Sequence, residues 1–231
     1  MAESHDERPE TRDVLVAGRT RFRDRVEAGR VLAGLLSDYS GREDVVILAL
    51  PRGGVPVAYE LAKALDAPLD VFVVRKVGLP GHEELAMGAI ASGGILVLDN
   101  RLVQALGISQ EELERVINAE RRELERREAA YRGGREPLEL ERKTVILVDD
   151  GLATGATMQA AAQAVRRLNP ARIVVAVPVA AAETCDAFRG DVDDIVCAAT
   201  PSPFLAVGLW YEDFSQTSDD EVRQLLANPG R

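Results

Sequence analysis

Short apolar runs alternate with longer amphipathic segments along most of this chain. The clearest run is Val45–Leu50 (VVILAL), which has the length of a strand and is followed by Pro51-Arg52-Gly53-Gly54. A strand that is apolar on both faces of its pleat is typical of a parallel sheet with both faces covered. Comparable runs predict five further strands, at Leu69–Val74, Gly94–Leu98, Thr144–Val148, Arg172–Val177 and Asp194–Cys197.

Apolar residues at helical spacing predict helices between these runs, at Arg21–Leu36, Val55–Leu65 and Gly155–Leu168. The last of them ends before Pro170, because the residue that precedes a proline avoids helical backbone angles. Strands that alternate with helices are typical of a parallel, doubly wound sheet. The pattern therefore predicts the α/β class.

A strongly charged helix is predicted from Ser109 to about Tyr131, between the third and fourth strands. Ser109 and Glu112 have the spacing of a capping box. Two pairs of opposite charge lie four residues apart on its surface, Glu111/Arg115 and Glu123/Arg127. Its apolar stripe is narrow, which suits a lid, an oligomer contact or a solvated surface helix, and the sequence leaves all three open.

Composition places the chain among globular proteins, since 46% of its 231 residues are hydrophobic and 29% are charged. This length allows one domain, or one domain with a small cap. The net charge of -10 argues against a nucleic acid or an anionic membrane as the main partner. No apolar run approaches the roughly 20 residues of a membrane-spanning helix.

Residues 1–20 are polar and carry charges of both signs, so we expect them to form a mobile tail. They lack the apolar segment of a signal peptide, which predicts a cytoplasmic protein. We expect the two cysteines, Cys185 and Cys197, to make neither a disulfide framework nor a metal-ligand cluster. With two histidines in the whole chain, a zinc site is not expected.

The candidate chemistry lies where the Thr144–Val148 strand ends. The strand leads to Asp149 and Asp150, and Gly151–Thr157 then turns directly into a helix. Open α/β sheets bind their ligands at the carboxyl ends of their strands. Backbone N–H groups, two threonine hydroxyls and the positive end of a helix dipole suit a phosphate monoester. Two carboxylates beside a phosphate would bind sugar hydroxyls or a Mg²⁺ ion.

Three known motifs can be compared with this segment. A Walker A loop requires a lysine at a spacing that Gly151–Thr157 does not have. A phosphorelay receiver requires its acidic pair near the start of the domain and a lysine after it, and no lysine follows Lys143. The stretch VILVDDGLATGAT (Val145–Thr157) resembles the phosphoribosyl-pyrophosphate (PRPP) motif of type I phosphoribosyltransferases. The resemblance extends, in the order of the elements, over roughly residues 45 to 200.

This resemblance implies a parallel sheet of about five strands flanked by helices, with a small hood built from the chain ends. Residues 21–231 would form a single domain, with 109–131 as a helical insertion and 203–227 as the hood and C-terminal segment. The implied reaction transfers ribose 5-phosphate from PRPP to a nitrogen nucleophile, a nucleobase being one candidate, with Mg²⁺ as cofactor and pyrophosphate as product. Family members are often dimers, which implies a homodimer.

The resemblance also assigns site residues. The 5-phosphate would be bound by the loop residues Gly151, Leu152, Ala153, Thr154, Gly155, Ala156 and Thr157. Asp149 and Asp150 would bind the ribose hydroxyls and would hold Mg²⁺ through water. Pyrophosphate would be bound by Arg52, Gly53, Arg75 and Lys76, and Lys76 would act in catalysis together with the two aspartates. A non-proline cis peptide bond is implied near Arg52-Gly53, and Val77–Ala91 is the implied mobile loop that closes over the substrate.

Three features leave the acceptor open. Purine-using members commonly carry an aspartate where this chain has Ala153, so the proton moves elsewhere, the nucleophile needs no strong base, or the protein is a sensor of PRPP or a nucleotide without turnover. Trp210, Tyr211 and Phe214 can stack on a planar acceptor or anchor the tail as ordinary core. His82 can serve in acid–base chemistry or lie exposed in its loop.

Overall fold

The computed structural model describes residues 21–227, apart from the side chains of Glu83 and Glu84. The predicted mobile tail, residues 1–20, lies outside these described residues. The elements follow one another as α1 (Arg25–Leu35), β1 (Val45–Ala49), α2 (Gly54–Leu65), β2 (Leu69–Val71), β3 (Val74–Leu79), β4 (His82–Ala91), β5 (Ile95–Leu98), α3 (Asn100–Ala105), α4 (Gln110–Arg132), β6 (Thr144–Val148), α5 (Ala156–Arg166), β7 (Arg172–Val179), α6 (Ala182–Phe188), β8 (Asp194–Ala199) and α7 (Asp219–Ala227).

The main sheet has five parallel strands in the order β2-β1-β6-β7-β8. Its register aligns Ile47 of β1 with Leu69 of β2 on one side and with Ile146 of β6 on the other. The parallel sheet of about five strands flanked by helices is therefore confirmed. Because all five strands point the same way, the loops after β1 and β6 leave the sheet side by side at one edge.

Both faces of this sheet are covered, which explains the continuous apolar runs. In β6, Ile146 and Val148 face a core shared with α1, α2, α4 and α7, whereas Val145 and Leu147 face a second core shared with α5. The two cores are separated by the sheet because successive side chains of a strand point to opposite faces. No helix among residues 21–227 is long and apolar enough to cross a membrane.

A second, antiparallel sheet corrects two predictions. Gly94–Leu98 was expected in the parallel sheet, but β5 pairs with β4, in the order β3-β4-β5. The predicted loop Val77–Ala91 is mostly a hairpin, in which Leu79 of β3 pairs with His82 of β4. Pro80 and Gly81 form only its two-residue connection, where Gly81 has a φ of +77°. Turn residues therefore suggested a long loop where they mark a short turn between strands.

The charged helix α4 has the predicted capping box, with Ser109 and Glu112 bonded to each other's backbone. The two predicted ion pairs are also confirmed, Glu111/Arg115 at 3.3 Å and Glu123/Arg127 at 2.7 Å. Its apolar stripe is not solvated along its length, because Ile117, Leu124 and Tyr131 are buried in the first core. The helix packs on β3 and on the C-terminal helix α7.

The two cysteines correct another expectation, because Cys185 and Cys197 are joined by a disulfide. Cys185 lies on α6 and Cys197 on β8, and the two elements are consecutive and packed together. The cysteines are 12 residues apart in sequence. Spacing of this kind does not reveal a bridge, since the pairing depends on how α6 folds back onto the sheet.

Candidate active site

Two adjacent carboxylates stand at the carboxyl edge of β6. The backbone N–H of Asp150 donates a 2.8 Å hydrogen bond to Asp149 Oδ1, which fixes the first side chain against the start of the loop. Burial, and then the neighbouring charge of Asp150, raise the pKa of the Asp149 carboxyl well above its ordinary value. Asp149 therefore binds a proton more readily than a solvated aspartate does.

Arg25 is the counter-ion of Asp150. Its Nε and Nη2 donate to Asp150 Oδ2 at 2.9 and 2.8 Å, and the two side chains are only 11% and 15% exposed. Burial raises the pKa of Asp150, and Arg25 partly opposes that effect. Arg25 Nη1 also donates to the carbonyl of Ser215 at 2.7 Å. This arginine thus links α1, the acidic pair and the C-terminal segment.

The loop after β1 lies directly against the acidic pair. A Cβ on Gly53 would be 2.0 Å from Asp150 Oδ2, and a Cβ on Gly54 would be 2.6 Å from the carbonyl oxygen of Val148. A side chain at either position would force the loop or its neighbours to shift, so glycine lets the backbone of this loop approach the end of β6 closely. The non-proline cis peptide bond of the loop joins Pro51 and Arg52, one bond before the expected position.

The loop Gly151–Thr157 runs from the acidic pair into the N-terminus of α5. Leu152 N donates to the carbonyl of Val179 at 2.9 Å, and Thr184 Oγ1 donates to the carbonyl of Ala153 at 2.8 Å. Gly155, with a φ of +73°, is the N-cap of α5, and the first turn of that helix contains no acidic residue. The side chains of Thr154 and Thr157 are exposed. Unpaired N–H groups and the helix dipole make such a terminus a site for an anion.

Aromatic residues of the C-terminal segment close the other side of the acidic pair. The Tyr211 hydroxyl donates to the carbonyl of Asp150 at 2.7 Å, and burial raises the pKa of Tyr211 well above its ordinary value. The Phe214 ring lies 5.0 Å from the Tyr211 ring and 4.0 Å from the Arg25 guanidinium carbon. Trp210 Nε1 is buried without a hydrogen-bond partner among the described residues.

The first described residues pair with this segment. Phe22 N donates to the carbonyl of Trp210 at 2.9 Å, and Glu212 N donates to the carbonyl of Phe22 at 2.8 Å. The Phe22 and Tyr211 rings lie 5.7 Å apart. The start of the described chain is therefore in contact with its C-terminal segment beside the acidic pair.

The basic residues at the start of β3 lie in different surroundings. Arg75 forms an ion pair with Glu120 of α4 at 2.7 Å, whereas Lys76 is exposed. His82 is also exposed, at the start of β4. The structure thus brings together Asp149, Asp150, the two loops and the aromatic residues, while Arg75 is engaged by α4 and His82 belongs to the hairpin.

Sequence reasoning missed Arg25 and Thr184. Arg25 is one of several arginines near the start of the chain, and nothing in its local pattern separates it from Arg21, Arg23 or Arg30. Thr184 lies on α6, a short helix that follows β7. Each acts on a residue far away in sequence, so only the tertiary contact identifies it.

The family model described as "Phosphoribosyl transferase domain" matches residues 23–200. Two curated proteins of Mycobacterium tuberculosis, "Putative phosphoribosyl transferase MT0597" (strain CDC 1551 / Oshkosh) and "Putative phosphoribosyl transferase Rv0571c" (strain H37Rv), are each 47% identical to this chain over 205 residues. The alignment covers 89% of this chain but 46% of each relative, so the chain spans about half their length.

Among solved structures, the protein TT1426 from Thermus thermophilus is similar to this chain, with 44% sequence identity and a TM-score of 0.79. The superposition covers 89% of this chain and 97% of that structure. The similarity therefore extends over most of the chain and is not confined to the segment around the acidic pair.

Proposed function

Because the chain belongs to the phosphoribosyl transferase domain family, we propose that it transfers ribose 5-phosphate from PRPP to a nitrogen nucleophile and releases pyrophosphate. The observation that carries the proposal is the contact between Gly53 and Asp150. It brings the loop assigned to pyrophosphate against the carboxylates assigned to ribose. The two ends of the bond that breaks would therefore be held within one crevice.

The loop Gly151–Thr157 would bind the 5-phosphate. Its support is the N-terminus of α5, whose first turn offers backbone N–H groups and no competing carboxylate. Thr184 keeps the loop in place through its bond to Ala153. The exposed hydroxyls of Thr154 and Thr157 would add hydrogen bonds to the phosphate oxygens.

Asp149 and Asp150 would accept hydrogen bonds from the ribose hydroxyls. The donor set also fits Mg²⁺, which favours carboxylate oxygens and usually keeps several waters and substrate oxygens in its shell. Among the described residues, no group of three or more His, Cys, Asp or Glu could hold a metal, so an ion here would be shared with the substrate. Bound through water at these carboxylates, Mg²⁺ would offset the negative charge of the pyrophosphate.

Arg52, Gly53 and Lys76, with Arg75, would bind the pyrophosphate as it leaves. In the family the transition state resembles an oxocarbenium ion, so the rate depends mostly on positioning and on charge neutralisation at the leaving group. Arg52 lies in the loop that contacts the acidic pair, which supports its role. Arg75 would act after release from Glu120, since that carboxylate now holds its guanidinium.

A second candidate function is sensing of PRPP or a nucleotide without turnover. The observation that favours it is Ala153, whose carbonyl is bonded to Thr184 and whose side chain can carry no proton. Tyr211, Phe214 and Trp210 would hold the acceptor in an enzyme, or the base of an effector in a sensor. A homodimer would be detected in either case from the molecular mass in solution.

Calorimetric titration with PRPP, with and without Mg²⁺, tests binding, and pyrophosphate release across a panel of nucleobases and amines tests turnover. We expect micromolar, Mg²⁺-dependent binding of about -8 kcal/mol and release with at least one acceptor. The Asp149→Asn/Asp150→Asn variant should lose this binding, whereas the control Asp38→Asn, at an exposed aspartate, should keep it. Unchanged affinity in the double variant would overturn the assignment, and binding without release would favour the sensor.

A further inference from the structure

A small polar pocket lies beside the loop after β1, on the side of the C-terminal helix. Its volume is about 170 Å³. It is lined by Arg52, Arg126, Arg127, Ala130, Tyr131 and Asp219. Three of these six residues are arginines, contributed by two elements that are remote in sequence, the β1 loop and α4.

The arginines of α4 have capacity for a further ligand. Arg126 donates to Glu123 through Nε and Nη2, and Arg127 donates to Glu123 through Nε. These bonds hold the pKa of Glu123 at about 2, so that carboxylate stays ionised. A guanidinium has five N–H donors, so both arginines have further N–H groups beyond those that bind Glu123. Guanidinium groups bind phosphate through paired hydrogen bonds, which makes them suited to this class of anion.

A carboxylate of the chain itself, that of Asp219, lies at the pocket. Asp219, in the first turn of α7, lies 3.6 Å from Arg52 Nη1 and accepts a 2.8 Å hydrogen bond from the Tyr131 hydroxyl. Its side chain is 52% exposed. The distance to Arg52 is long for an ion pair, and exposed pairs of this kind contribute little free energy. A phosphate group carries more charge than a carboxylate and would compete with Asp219 for Arg52.

We propose that Arg52, Arg126 and Arg127 form a second anion site, separate from the loop Gly151–Thr157, which takes a phosphate or pyrophosphate group in place of the Asp219 carboxylate. This inference rests on the proposed function, because the proposed function places the pyrophosphate group of PRPP at Arg52. The anion is either the pyrophosphate end of the substrate or a free phosphate-bearing effector. In both cases α4 contributes binding residues that the resemblance to the family did not assign.

Calorimetric titration of the full chain with inorganic pyrophosphate tests the pocket. We expect Arg126→Gln/Arg127→Gln to bind at least about tenfold more weakly than the unmodified chain, because each charge-assisted bond contributes a factor of that order. Arg122→Gln removes one charge from an exposed position of the same helix and should stay within about twofold. Equal affinity of the double variant and the unmodified chain would overturn the proposal.

Asp219→Asn tests the competing carboxylate. Asparagine keeps an oxygen that can accept from Tyr131 but removes the negative charge, so pyrophosphate should bind several-fold more tightly. Unchanged affinity would contradict displacement of Asp219. Circular dichroism of each variant, with unchanged thermal unfolding, establishes that the fold is retained.

Parallel titration with PRPP separates this inference from the proposed function. If PRPP binds and the Arg126/Arg127 substitutions leave the affinity for pyrophosphate unchanged, the proposed anion site is wrong and the proposed function is retained. If PRPP does not bind but the affinity for pyrophosphate depends on the two arginines, the proposed function is wrong and the anion site is retained. If the anion site is retained, a lower affinity of the double variant for both PRPP and pyrophosphate identifies the pyrophosphate group of the substrate as the occupant. A lower affinity for free pyrophosphate alone identifies an effector.

Discussion

The guanidinium of Arg25 and the carboxylate of Asp150 form a nearly buried ion pair across 125 residues of sequence, with two nitrogens within 2.9 Å of one oxygen. Arg25 stacks on Phe214 as well, so the C-terminal aromatic segment helps to hold it. A negative charge of the candidate site is therefore balanced by an arginine of the first helix.

Removal of Arg25 should destabilise the protein, because it leaves a buried carboxylate without its counter-ion. We expect Arg25→Gln to lower the free energy of unfolding by about 2–4 kcal/mol. Urea denaturation at neutral pH measures this loss. Arg23→Gln is the control, since Arg23 is 54% exposed and solvent screens its ion pair with Asp24, so the free energy of unfolding should change little.

A double-mutant cycle tests whether that loss comes from Asp150. In an Asp150→Asn background, the further substitution Arg25→Gln should cost much less than it does alone, because no unpaired charge remains. A loss of the same size in both backgrounds would mean that Arg25 stabilises the fold through its packing on Phe214 and Tyr211 instead.

The acidic pair should make stability fall as the pH rises. Burial raises the pKa values of Asp149 and Asp150 above the ordinary value of 3.8, so above that pH the folded chain binds more protons than the unfolded chain. The free energy of unfolding therefore decreases as the pH rises, and the decrease ends once the pH exceeds the raised pKa values of the folded state. Asp149→Asn should remove part of this decrease and stabilise the protein at neutral pH, as seen in denaturation between about pH 4 and 7. Asp38→Asn should keep the slope of the unmodified chain.

Gly53→Ala should damage the site more than the fold. Its Cβ would lie 2.0 Å from Asp150 Oδ2, so either the loop or the carboxylate must move. We expect a loss of stability of about 1–3 kcal/mol and a loss of PRPP affinity of at least about tenfold. Gly34→Ala, where a Cβ meets nothing within 4 Å, should instead be neutral or stabilise α1 by up to about 1 kcal/mol. Retention of PRPP affinity in Gly53→Ala would show that the close approach is not required for binding.

Thr184 should contribute to phosphate binding without touching the ligand. Thr184→Val keeps the shape of the side chain but leaves the carbonyl of Ala153 without its donor, at a cost of about 1 kcal/mol. The affinity for PRPP should fall several-fold in calorimetry. Thr184→Ser keeps the hydroxyl and should restore the affinity, whereas equal weakening in both variants would assign the effect to lost packing.

The disulfide between Cys185 and Cys197 should stabilise α6 against β8. A cross-link that closes a loop of this length stabilises the folded state by roughly 2–3 kcal/mol, because it lowers the conformational entropy of the unfolded chain. Cys185→Ser/Cys197→Ser should lower the free energy of unfolding by that amount. Thiol titration under native conditions should find no free thiol in the oxidised chain and two after treatment with a dithiol, and free thiols in the untreated chain would contradict the bridge.

The sequence by itself determined the class of the fold and where the two aspartates and the loop of the candidate site lie in it. Continuous apolar runs placed β1, β6, β7 and β8 to within a few residues, because a strand buried on both faces must be apolar at every position. Asp149, Asp150 and Gly151–Thr157 were located by short-range order alone, since the carboxylates, the turn and the helix start follow one another along the chain. The capping box and the ion pairs of α4 could also be predicted, because their partners lie only three or four residues apart in sequence.

Tertiary structure decided which segments meet. A strand carries no local record of its partner, so the sequence could not show that β3, β4 and β5 leave the main sheet to form their own. The same limit applies to Arg25 with Asp150, Thr184 with Ala153, Cys185 with Cys197, and the arginines of α4 with Arg52. The members of each set lie on different elements, and they are brought together only when the helices bury their apolar faces on the sheet. Local patterns specify elements, and the packing of those elements specifies the site.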